Sequence, residues 1–191
     1  VWNMIYDLDA PVGNQRSVSH EELWQRFEYF LTRIIPVAEE NNVMMVAHPD
    51  DPPLENLRGS ARLIYKPELF DKLLATVESP SNGIEFCMGT VQEMPDSNVY
   101  EVLDKYSKLH KIGYIHFRNV VGRVPNYREA FVDEGDINML KALQILKDNN
   151  YEGVLIPDHT PEMSCGAPWH AGMAFAMGYM RAAMKSLNVL N

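Results

Sequence analysis

The chain has 191 residues, 46% hydrophobic and 23% charged, with 17 Lys and Arg against 26 Asp and Glu for a net charge of −9. That is room for one ordinary domain, 1–191, with a sizeable core. The acidic balance argues against a nucleic-acid surface, and no apolar run is long enough for a membrane span. Cys87 and Cys165 are too few for a disulfide framework and suit a reducing compartment; with no export signal, a cytoplasmic protein is expected. The chain opens on Val1-Trp2-Asn3 rather than Met, and the expectation is that its natural start lies upstream.

Trp2 to Leu8 reads as strand-like or irregular chain, broken by Pro11, Gly13 and Asn14. Ser19-His20-Glu21-Glu22 is a capping-box pattern that launches a helix with Leu23, Phe27, Phe30, Leu31, Ile34, Ile35 and Ala38 on one face. Pro36 inside it predicts a kink or an early stop. Asn41-Asn42 ends the helix, and Val43 to Ala47 is a short buried strand that halts on His48-Pro49-Asp50-Asp51-Pro52-Pro53. Pro67 opens a second helix marked by Leu69, Leu73, Leu74 and Val77. After the turn at 79–83, residues 84–87 form a second strand ending on Cys87, and Ser97 or Asn98 caps the next helix. Residues 113–117 form a third strand carrying His116. A loop through Arg118, Asn119, Asn126 and Gly135 leads to a helix from about Asp136, with Leu140, Leu143, Ile145 and Leu146 as its apolar positions. Residues 153–157 form a fourth strand ending at Asp158-His159, and the last helix runs from about Trp169 to Leu187.

Regular strand–helix alternation predicts a parallel sheet covered by helices. A complete eight-stranded barrel needs about 250 residues, so four units make either a small open sheet or half a barrel. Two open edges would favour pairing with another copy, a homo-oligomer.

His48, Cys87, His116 and Asp158 each stand at a strand's C-terminal end, the rim where ligands bind in parallel sheets. Cys87 alone could be a buried apolar residue and Asp158 a helix cap. Four such side chains at equivalent places point instead to a divalent metal, and mixed S, N and O donors suit Zn, Fe(II) or Mn(II) better than Mg or Ca. Around them, Arg118 and Asn119 are candidates for gripping a substrate carboxylate. Asp50 and Asp51 are candidates for binding hydroxyls or orienting His48. His159 is suited to move a proton near neutral pH. Asp133-Glu134-Gly135-Asp136 reads as either a substrate contact or a turn with a helix cap, and His20 and His110 as solvated helix residues.

Four segments together resemble the mannonate dehydratases: Ala47-His48-Pro49-Asp50-Asp51-Pro52-Pro53, Ser79 through Cys87, His116-Phe117-Arg118-Asn119-Val120, and Pro157-Asp158-His159. The resemblance implies the C-terminal half of a (β/α)8 barrel of the xylose-isomerase-like type. It also implies an Fe(II)- or Mn(II)-dependent lyase that dehydrates D-mannonate to 2-keto-3-deoxy-D-gluconate in hexuronate breakdown. The pattern departs from that family where a catalytic tyrosine is expected after the Asp-His pair. Here 167–173 holds His170 and no tyrosine precedes Tyr179, so His170 is the candidate replacement. A sugar isomerase or epimerase on the same scaffold, or an inactive fragment, are the competing readings.

Overall fold

Local sequence sets each element of the computed structural model, which describes residues 3–5, 7, 9, 11, 12, 14 and 16–190. Of the opening strand-like stretch, Asn3–Ile5 is a strand, β1, whereas Trp2, Tyr6 and Leu8, like the expected breaker Gly13, lie outside the described residues. Helix α1 (His20–Glu40) begins where the Ser19 hydroxyl accepts the Glu22 N–H, with Glu21 and Glu22 in its positive first turn. It runs through Pro36 as one helix, correcting the expected stop. Pro36 lies on the exposed side, where the carbonyl it orphans can meet water. Phe30, expected on the buried face, is exposed, and Trp24 is buried instead.

Strand β2 (Met45–Ala47) follows, then a small antiparallel pair, β3 (Asn56–Leu57) and β4 (Ser60–Ala61), and α2 (Glu68–Thr76) behind Pro67. Strand β5 (Asn82–Cys87) passes directly into a short helix, α3 (Met88–Glu93), which the sequence pattern had not separated from the strand end. Asn98 caps α4 (Val99–Lys108), which leads to β6 (Ile112–His116). The stretch expected to be a loop is a hairpin, β7 (Asn119–Arg123) and β8 (Asn126–Ala130), with β1 on its outer edge. Asn138 caps α5 (Met139–Asp148), three residues later than expected and with Leu140 exposed. Strand β9 (Val154–Ile156) and α6 (Pro168–Ser186) complete the chain.

The expected parallel sheet is present, with strand order β2-β5-β6-β9 and every neighbour parallel. One face packs on the helices through Ile84, Phe86, Ile115, Leu73, Leu103 and Leu143, the heart of a single buried cluster. Glu85, Tyr114 and His116 alternate onto the other face and are only half-buried.

The register between β5 and β6 decides what meets at the rim. Ile84 pairs with Ile112 but Glu85 pairs with Tyr114, so Gly113 is an extra residue in β6. Beyond that irregularity Cys87 pairs with His116, and both side chains point the same way. Without it, Cys87 would lie beside Ile115, which faces the helices. Glycine fits there without displacing its neighbours: a Cβ would lie 2.7 Å from the Met44 sulfur and 2.8 Å from a Val46 methyl, and one of them would have to shift.

Candidate metal centre and active site

His48 directly follows β2, while Cys87 and His116 end their strands. One ligand atom from each lies within 4.8 Å of the others, a grouping that can hold a metal ion. Each imidazole has one nitrogen already engaged: Nδ1 of His48 is 2.5 Å from the Pro49 carbonyl, and Nε2 of His116 is 2.5 Å from Glu85 Oε1. Such outer oxygens orient metal-binding histidines and leave the second nitrogen as the ligand. On His116 that second nitrogen, Nδ1, is buried without a hydrogen bond among the described residues, with Asp158 Oδ2 3.3 Å away. Asp158 lies just outside the group of three. It is held at a left-handed φ of 64°, a conformation that costs an ordinary residue about 1–2 kcal/mol.

The electrostatics favour a cation. Burial would raise the Cys87 thiol, but Arg118, His116 and His48 outweigh it and bring it down to about 6. Burial would lower His48, but the Cys87 sulfur, the Pro49 carbonyl and Glu85 lift it to about 9. Sulfur and ring therefore share one proton, as a thiolate beside an imidazolium. A divalent ion can take that place, with release of the proton.

Beside this group opens a cavity of about 270 Å³. His48, Asp51, His116, Arg118, Tyr127, Asp158 and His159 are among the residues that line it. Arg118 is almost wholly buried, and its guanidinium is claimed by carboxylates. Nη1 donates to Asp51 at 2.8 Å, Nη2 donates to Glu93, and Nε lies 3.7 Å from Glu129. Gly89 makes room for it, since a Cβ there would strike the guanidinium. Burial would raise Asp51, but Arg118 and the hydroxyls of Tyr127 (2.9 Å) and Thr90 (3.2 Å) hold it below the usual aspartate range. Burial pushes Glu93 up; Arg118 opposes this, but Asp51, Cys87 and Glu129 add to the rise. Three carboxylates and a thiol share one guanidinium, so the cluster retains a proton, and the most desolvated acid keeps it. Burial, Glu93 and Asp51 push the Tyr127 phenol far up, so it serves as a hydrogen-bond donor.

His159 sits between two acids, Nδ1 3.4 Å from Glu129 and Nε2 3.4 Å from Asp158. The Glu129 contact raises its pKa first of all, with burial opposing.

Of the residues expected from sequence, the fold gathers His48, Cys87, His116, Asp158, His159, Asp51 and Arg118. Three others go elsewhere. Asp50 accepts the Leu63 and Ile64 N–H groups at 2.7 Å and pairs with Arg62, so it ties down the 56–65 loop. The buried Asn119 amide donates to the Val132 and Ile137 carbonyls at 2.9 Å, bracing the chain before α5. His170 is exposed in the first turn of α6, edge-on to Trp169 and away from the cavity lining. Asp136 accepts the Gly122 N–H, a turn role. Strand-end reasoning missed Tyr127, Glu129, Glu85 and Glu93. The first two occupy alternate, buried positions of β8, with exposed Asn126 and Arg128 on either side of Tyr127, an alternation that marks a strand.

The model of the D-mannonate dehydratase (UxuA) family matches residues 2–187. The mannonate dehydratase of Thermotoga petrophila is 34% identical over 161 residues, covering 83% of this chain and 44% of that protein. The chain thus spans less than half the length of the curated relatives it matches. The crystal structure of mannonate dehydratase from Streptococcus suis serotype2 superimposes with a TM-score of 0.77 at 29% identity, covering 92% of this chain and 53% of that one. A D-tagatose 3-epimerase-like protein superimposes with a TM-score of 0.67 at 20% identity, covering 87% and 56%, a likeness of fold alone.

Proposed function

The chain belongs to the mannonate dehydratase family, and from that premise we propose that it dehydrates D-mannonate to 2-keto-3-deoxy-D-gluconate in hexuronate breakdown, in the cytoplasm. The observation that carries the reading is the convergence of His48, Cys87 and His116 beside a cavity that also presents His159. We propose Asp158 as the fourth ligand and Fe(II) or Mn(II) as the ion, the soft thiolate and imidazoles arguing against Mg or Ca. Bound there, such an ion supplies Lewis acidity toward substrate oxygen.

The residues do the rest. Dehydration removes the proton α to the carboxylate and expels the β-hydroxyl as water, and the resulting enol becomes the keto acid. The departing hydroxyl needs a proton, and His159 is the donor, its protonated form favoured first by the contact with Glu129. Arg118 contributes positive potential at the cavity wall. Its fork is occupied by Asp51 and Glu93, so the expected two-bond grip on the substrate carboxylate would require these partners to yield. Tyr127, with its hydroxyl at the cavity, is the phenol this site offers in place of the tyrosine missing after Asp158-His159. The half-buried inner face of the sheet fits a barrel interior, so we also propose that the four units form half a barrel, completed by further sequence or a second copy.

The test is release of 2-keto-3-deoxy-D-gluconate from D-mannonate with Mn(II) or Fe(II) under anaerobic conditions. His159→Asn is expected to retain metal and lose at least ~100-fold in turnover. Wild-type turnover in that variant removes His159 from the reaction. Rearranged sugar acid without loss of water favours the isomerase or epimerase reading, and no reaction in any metal-loaded form with the barrel completed rejects mannonate as substrate.

A further inference from the structure

The hairpin β7–β8 lies outside the parallel sheet, yet Tyr127 of β8 lines the cavity and Glu129 meets Arg118 and His159, which line it too. Tyr127 and Glu129, two residues apart, both point inward. The Glu129 side chain is wholly shielded from solvent. Its Oε2 is 3.4 Å from His159 Nδ1, and its Oε1 faces Arg118 Nε at 3.7 Å without a hydrogen bond among the described residues. Arg118 already has two closer carboxylates, Asp51 and Glu93, so charge balance does not explain a third. Burying another acid is costly unless it orders something. The ring it meets is His159.

We infer that Glu129 is the positioning residue of His159: it accepts the Nδ1 proton, fixes the plane of the ring, and so turns Nε2 toward the rim. Nε2 lies 3.4 Å from Asp158 Oδ1, on the side of the metal group. A histidine whose Nδ1 proton is held by a buried carboxylate presents Nε2 as the exchanging atom, and losing that partner scrambles the tautomer. The inference deepens the proposed role of His159 and rests on that reading for its catalytic meaning. The geometry it predicts can be read without substrate.

The experiment uses the full chain labelled with ¹⁵N-histidine, the His159 signals being identified by their absence in His159→Asn. Wild type is expected to carry a proton on His159 Nδ1, with a downfield proton resonance typical of a carboxylate partner. Glu129→Gln keeps an acceptor oxygen without charge; the proton should stay on Nδ1 and move upfield. Glu129→Met removes the acceptor; the tautomers should mix, turnover should fall at least ~10-fold, and KM should stay within about twofold. Unchanged His159 signals in Glu129→Met overturn the inference. If Glu129→Met does not fold, an unchanged Nδ1 proton resonance in Glu129→Gln overturns it. Absence of dehydration in wild type would count against the proposed function alone, because the resonances are measured independently of turnover.

Discussion

Arg118 governs the charge beneath the cavity. It heads the largest fully buried side chains among the described residues, and it faces Asp51, Glu93, Glu129 and the Cys87 sulfur. Removing it leaves acids buried without a counter-charge, so Arg118→Ala should cost about 3–5 kcal/mol, the scale for breaking a buried ion pair from one side. Urea unfolding measures this, and a loss below about 1 kcal/mol would mean that water already reaches the cluster. Asp51 contributes to the acid-side pH dependence of the same cluster. Its folded pKa is lowered, so its stabilisation is complete above the ordinary aspartate value of about 3.9. It is lost as pH falls through the folded value. Asp51→Asn should therefore flatten the acid limb of stability below about pH 4; an unchanged limb would place acid sensitivity elsewhere. Residues such as His48, Cys87 and Asp158 were legible in sequence because they punctuate apolar strands. Asp50 resembled a site residue only by adjacency to Asp51. Which of two neighbouring carboxylates turns inward depends on the loop at 56–65, whose amides claim Asp50.

At the scale of elements, the rim depends on the one-residue irregularity in β6. Gly113→Val would drive a branched side chain against Met44 and Val46, an overpacking worth about 1–3 kcal/mol. If the strand responds by slipping, Cys87 loses its place beside His116. The expected result is lower thermal stability together with weaker metal binding; full metal affinity would show that the register tolerates the change. The parallel strands were readable because each is a compact apolar run covered on one face by helices. The hairpin was not, since Val120 to Ala130 mixes Gly122, Arg123, Pro125 and Arg128 among its apolar residues and its pairing partner, β1, lies over a hundred positions earlier. Tyr127 and Glu129 went unnoticed for that reason. Pro36 misled in the other direction: a proline on the wet side of a long, capped helix costs too little to end it.

For the whole molecule, four βα units bring residues from widely separated parts of the chain to one end of one sheet, and the sheet's outer strands carry exposed Val43 and Val154 at or beside their edges. No helix among the described residues is long and apolar enough to cross a membrane. The proposed chemistry requires the strand ends to act together as a metal centre. Chain purified anaerobically and equilibrated with Mn(II) should hold one ion per chain in wild type. His116→Ala should hold none, and Asp50→Asn, altered away from the rim, should bind as wild type does. Equal stoichiometry in wild type and His116→Ala, or no bound ion in wild type, would contradict it.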